Sequence, residues 1–137
     1  MPPRTPSVYP ARRFGLAFVF LWFFAGGLAH FVFTDAEMRI VPTYIPWPRA
    51  AVLLSGVIEI AGALGLVWPA TRRIAVWSLF ALTLAVTPAH IFVLQQPELF
   101  PSVPYWALVL RLPLQVALLT LIAWLGWCPA RLAKQAA

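Results

Sequence analysis

The chain has 137 residues, 62% of them hydrophobic and only 10% charged. Soluble domains carry about a quarter charged residues, so this composition excludes that class and leaves one integral membrane domain with no soluble one beside it. The net charge of +6 lies in single or paired basic residues at the ends of apolar runs, a topology signal and an attraction for anionic lipid, with no basic stripe for nucleic acid.

Residues 1–13, with Pro2, Pro3, Pro6 and Pro10 among Arg4, Arg12 and Arg13, read as a disordered basic tail. An apolar run over residues 14–33 is the first predicted span, too long for the core of a signal peptide. Residues 34–48 form a loop, because Pro42, Pro46 and Pro48 forbid a continuous helix, although Asp35 to Val41 can make a turn or two at the interface. The second span, residues 49–68, is rich in small residues such as Ser55, Gly56, Gly62 and Gly65. Such residues let helix backbones approach closely in lipid, so this span is expected at the packing centre.

Residues 69–73 read as a tight basic turn with Thr71 as an N-cap. The third span covers residues 74–94, a loop follows at 95–103, and the fourth span covers 104–127. A transmembrane domain over 14–128 then ends in a short basic tail, 129–137. Four spans with short loops predict an all-α, membrane-embedded antiparallel four-helix bundle, up-down-up-down. Arg4, Arg12, Arg13, Arg72, Arg73, Arg131 and Lys134 lie on one side, Arg39 and Arg49 on the other. This bias places both termini in the cytoplasm, and in a bacterium the membrane is the inner one. Trp47, Tyr105 and Trp106 mark one interface; Trp68, Trp77, Trp124 and Trp127 mark the other. A weak internal repeat pairs Ala29-His30 with Ala89-His90 at the ends of spans one and three.

The informative residues are the polar ones within the spans. From a rise of about 1.5 Å per residue, Glu59 and Gln115 lie roughly 15 Å below the outer edge, Arg111 roughly 10 Å, and His30 and His90 roughly 5 Å. All fall in the outer half of the bundle. A charge at such depth costs a few kcal/mol or more, which makes intramembrane ions markers of function by default. Glu59 is the one acid and Arg111 the one base inside the spans, so they are expected to pair. Arg111 shares a helix face with Gln115, and Ser55 shares one with Glu59. Pro113 is expected to kink span four and free the carbonyl of Val109; Pro88 does the same for Leu84. Glu59, Arg111, Gln115, His30 and His90 are therefore the candidate ligand-binding or proton-handling residues, supported by Pro88, Pro113 and Ser55. No ligand spacing marks a metal site. Cys128 is the single cysteine, which excludes a self-contained thiol–disulfide relay.

His30-Phe31, Ile40-Val-Pro-Thr-Tyr-Ile-Pro46, Ser55-Gly-Val-Ile-Glu-Ile-Ala-Gly62, Thr87-Pro-Ala-His90 and Arg111-Leu-Pro-Leu-Gln115 together resemble the DoxX-like family of small four-helix membrane proteins. The resemblance runs from about residue 14 to 127, with one departure at His90, where the family pattern has Asn. It implies a small membrane subunit or partner of a quinone-linked oxidoreductase, with a soluble or membrane redox enzyme as partner and quinone as a non-covalent cofactor. Two alternatives stand beside it. One is a non-catalytic assembly or scaffold protein whose Glu–Arg pair is structural. The other is a weak-acid permease, which with four helices would have to be a homo-oligomer.

Overall fold

The computed structural model describes the backbone of residues 8–135 and the side chains of residues 10–127. Expectations placed on residues 1–7 and 136–137, and on the side chains of Cys128, Arg131 and Lys134, lie outside the described residues. The described chain is all-helical. Its helices are α1 (Val8–Val32), α2 (Thr34–Met38), α3 (Pro48–Gly65), α4 (Pro69–Ala85), α5 (Thr87–Gln95) and α6 (Tyr105–Gln135), with one 3-10 turn at Pro97–Leu99.

Four stretches are long and apolar enough to cross a membrane: Pro10–Val32, Pro48–Gly65, Pro69–Gln95 and Tyr105–Trp127. Within an 18-residue apolar window of each, only 22–28% of the residues are buried within the protein. The outward faces, with Phe14, Leu21, Leu54, Ile74, Trp106 and Val116 exposed, suit contact with lipid rather than water.

Proline sets several boundaries differently from expectation. Helix α1 begins at Val8, so residues 8–13 are helix rather than tail; Pro10 falls in the first turn, where its missing N–H removes no intrahelical bond. Helix α3 closes at Gly65, three residues early, as the Leu66 amide bonds the carbonyls of both Gly62 and Ala63. The supposed basic turn at 69–73 is the start of α4, with Pro69 in its first turn. Thr71 is therefore not the N-cap; its hydroxyl donates to the Gly65 carbonyl at 2.8 Å and ties α4 to the end of α3. The third span is not one helix. It breaks at Val86 between α4 and α5, because Pro88 cannot donate to the Leu84 carbonyl one turn earlier. Around Pro113, by contrast, α6 stays one helix and continues to Gln135, through the region expected to be a tail.

Helix α3 packs on α1 and α4, while α6 packs on α4, α5 and α1. The closest approach is between α1 and α3. A Cβ on Gly27 would lie 2.9 Å from the Gly56 carbonyl oxygen, and one on Gly56 would lie 3.0 Å from the Gly27 oxygen and 2.8 Å from His30 Cβ. Two glycines facing each other let these backbones touch, which is how small residues hold helices in lipid. Gly62 repeats the device on the other face of α3, leaving room for Leu79 of α4. Below this level Val19, Phe23, Ala63, Leu79, Ile122 and Leu125 form one buried core joining all four spans. Trp77, expected in an interfacial belt, is half-buried and packs edge-on against Phe80 and Trp127 beside Gly126.

Gly56→Leu should destabilise the protein by roughly 1–3 kcal/mol, because backbone on the facing helix cannot give way. Gly15→Ala, which meets only the ends of Leu125, Leu121 and Trp124 side chains at 3.3–3.5 Å, should cost far less. Reversible unfolding in mixed micelles measures both. Equal stability of Gly56→Leu and the parent would show that the helices do not cross there.

Candidate functional site

The break in the third span leaves backbone groups needing partners where water is scarce. Thr83 of α4 is buried, and its hydroxyl turns back to donate to the Leu79 carbonyl at 2.7 Å. The Thr83 carbonyl accepts from the Thr87 hydroxyl at 3.3 Å and, across the bundle, from Gln115 Nε2 at 2.8 Å. The same Nε2 donates to Thr87 Oγ1 at 2.6 Å. Gln115 thus ties α6 to both sides of the break. Because a carbonyl can only accept, these bonds fix which end of the amide is nitrogen. The Gln115 Oε1 then lies buried with no partner, on a residue only 7% exposed.

Beside it is a cavity of about 230 Å³. Its polar lining comes from three of the four spans: Glu59 of α3, Thr83 of α4 and His90 of α5 in the third span, and Arg111 and Gln115 of α6. Trp22 and Phe23 of α1, with Leu82, Leu114 and Leu118, make the apolar walls. Phe23 and Leu118 also belong to the buried core, so the core is the floor of this cavity. Four of the five sequence-predicted residues, Glu59, His90, Arg111 and Gln115, therefore meet at one cavity.

The predicted Glu59–Arg111 ion pair does not form. Among the described residues, the carboxylate paired within 4.0 Å is Glu59 with His30, at 3.4 Å between Oε1 and Nε2. The reason lies in the glycine contact. Close approach of α1 and α3 puts Glu59 against α1, where a Cβ on Gly26 would be only 2.9 Å from Oε2. Arg111 is half-buried across the cavity, with no carboxylate within 4.0 Å among the described residues. His30 joins the site only through Glu59; it does not line the cavity. Ser55, expected to support Glu59, donates instead to the Val52 carbonyl of its own helix at 2.8 Å.

The cavity holds a sorted set of unused hydrogen-bonding groups. Gln115 Oε1 needs a donor and the Arg111 guanidinium offers donors, while His90 Nδ1 is buried without a partner. A ligand that both donates and accepts would satisfy them, between aromatic and aliphatic walls. Sequence reasoning missed Trp22, Phe23, Leu82, Leu114 and Leu118, since apolar residues on a span look alike whichever way they face. Thr83 and Thr87 carried a usable signal, two hydroxyls within the five residues before a proline inside a span.

Residues 19–127 match the model of a family described as Domain of unknown function (DUF8561), and the chain belongs to that family. No curated protein and no solved structure matches the chain.

Removing the Gln115 brace should be measurable. Gln115→Leu should lower stability by about 1–2 kcal/mol, the range of interhelical hydrogen bonds in membranes. In a double-mutant cycle with Thr87→Val, the coupling should be roughly 0.5–1.5 kcal/mol. A coupling indistinguishable from zero would mean that the two side chains do not meet.

Proposed function

We propose that this is a DoxX-like integral membrane protein, an antiparallel four-helix bundle with both termini in the cytoplasm. In that reading it serves as the small membrane subunit or partner of a quinone-linked oxidoreductase, in a bacterial inner membrane. The order of contacts supports the antiparallel arrangement: from Gly26 to His30 along α1, the partners on α3 run back from Glu59 to Gly56. Orientation is supported by Arg12, Arg13, Arg72 and Arg73 at one end, against Arg39 and Arg49 at the other.

One observation carries the functional reading: a 230 Å³ cavity between the spans gathers Glu59, His90, Arg111 and Gln115 over an apolar floor. Its volume is below the roughly 300–1,000 Å³ of drug-sized ligand sites, so it suits a single substituted ring with its tail outside. A quinone head group bound there would supply two-electron, two-proton redox chemistry. The residues supply the rest. Arg111 donates to a carbonyl oxygen and would hold negative charge that develops there. Gln115 Oε1 accepts from a hydroxyl. Glu59, held by His30 on one oxygen, is the carboxylate on the cavity wall able to take or give a proton. The chain has a single cysteine and no haem or flavin motif, so electrons would pass to or from the partner enzyme.

The scaffold alternative rested on a structural Glu–Arg pair, and that pair is absent here.

Titrating the detergent-solubilised protein with a short-chain benzoquinone should quench tryptophan fluorescence saturably, with Trp22 in the cavity wall as reporter. Arg111→Gln should weaken binding by about tenfold or more, the value of a hydrogen bond to a charged group. Glu59→Gln should weaken it as well. Quenching that never saturates, or affinity unchanged in both variants, rules the reading out.

A further inference from the structure

At the opposite end of the bundle a second cavity, of about 280 Å³, opens between α1 and the corner where α3 passes into α4. Arg13 and Arg72 stand at it, and Leu16, Ala17, Phe20 and Leu66 line the rest. On α1 these residues follow the spacing 13, 16, 17, 20, one helix face over about 10 Å. The slot is therefore basic at its mouth and apolar along its length.

Arg72 is pre-positioned. Its Nε donates to the Leu66 carbonyl at 2.8 Å and its Nη2 to the Val67 carbonyl at 3.2 Å, capping the end of α3. These bonds use two of the five guanidinium donors and hold the others in a fixed direction. The position also concentrates positive charge. Arg72 and Arg73 lie in the first turns of α4, which has no acidic residue there, so the helix dipole adds to their potential. Among the described residues no carboxylate pairs with either arginine. Its four acidic residues are Asp35, Glu37, Glu59 and Glu98. Asp35 and Glu37 lie in α2 and Glu98 in the 3-10 turn, at the far end, Glu59 is bonded to His30, and no described carboxylate lies within 4.0 Å of Arg13 or Arg72.

We propose that this slot binds an anionic phospholipid, its phosphodiester between Arg13 and Arg72 and an acyl chain along Leu16, Ala17 and Phe20. The charge complementarity selects an anion, and the apolar length below it selects an anion that carries a chain. Free phosphate would satisfy the arginines but leave the slot unfilled. The site shares no residue with the cavity of Glu59 and Arg111, so either can fail without the other.

The test uses the full chain in a neutral detergent, with retained lipid counted by native mass spectrometry. Dioleoyl phosphatidylglycerol should be held about tenfold or more over dioleoyl phosphatidylcholine. Arg13→Gln combined with Arg72→Gln should abolish that preference, whereas Arg39→Gln with Arg49→Gln at the far end should keep it. Ala17→Phe, at an exposed position in the slot, should lower phosphatidylglycerol retention with no change of charge. Because Arg72 also caps α3, Arg13→Gln and Ala17→Phe carry the test alone if Arg72→Gln does not fold. Equal retention of the two lipids overturns the proposal. Equal loss in the far-end pair points to diffuse attraction and also overturns it. Displacement of the lipid by millimolar inorganic phosphate would identify a simple anion site and overturn it too.

Discussion

The bond from the Gln115 amide to the Thr83 carbonyl does more than any other single contact to make this a defined structure. Pro88 interrupts the third span, and an interrupted helix leaves carbonyl groups that lipid cannot solvate. One amide nitrogen from α6 reaches that carbonyl and the hydroxyl of Thr87 at once. The break, the register of α6 against α4 and α5, and the position of Gln115 are thereby one constraint. Its by-product is the buried Oε1 with nothing to accept from, which turns a structural brace into one wall of a site.

The second constraint is the contact of Gly27 with Gly56. It brings α1 and α3 together at the level where Glu59 must go, so the carboxylate is taken up by His30 and remains on the cavity wall. Arg111 then faces the same cavity without an acid. A site with one carboxylate already engaged and one guanidinium still available differs chemically from a closed ion pair. A closed pair neutralises itself; this arrangement leaves positive charge and a hydrogen-bond acceptor for something else. That difference is why the proposed ligand-binding reading is preferred to a structural clamp.

The two ends of the bundle are unlike because their charges are. Acidic residues gather at the end of α2 and the 3-10 turn, and arginines at the starts of α1 and α4. Between them lies the buried core of Val19, Phe23, Leu79 and Ile122. Each cavity uses part of that core as its floor, Phe23 and Leu118 for one and Leu66 for the other. Among the described residues these two openings lie at opposite ends with the packed core between them, and each takes its chemistry from the polar residues of its own end.

Much of this was legible before any coordinates. Runs of some twenty apolar residues allow only a helix in lipid, since every backbone group must be satisfied within its own segment. The positions of Glu59, Arg111, Gln115 and His90 along their helices follow from helical rise alone, and so does their gathering at one level, where they line one cavity. The mid-span proline marked the break, although Gln115 reaches the Thr83 carbonyl rather than that of Leu84, four residues before Pro88. What the chain could not reveal is rotation about each helix axis and which helix lies beside which. Those angles decided that Glu59 meets His30 rather than Arg111, that Ser55 bonds its own helix, and that Trp22 and Phe23 wall the cavity. Helix ends marked by prolines at 10 and 69 were misjudged because a proline in a first turn starts a helix as readily as it stops one. The sequence determined the apolar spans and where each polar residue stands along its own helix, because both are properties of a single helix. Tertiary structure decided the partners, because pairing depends on how closely two backbones can approach, and here two glycines set that distance.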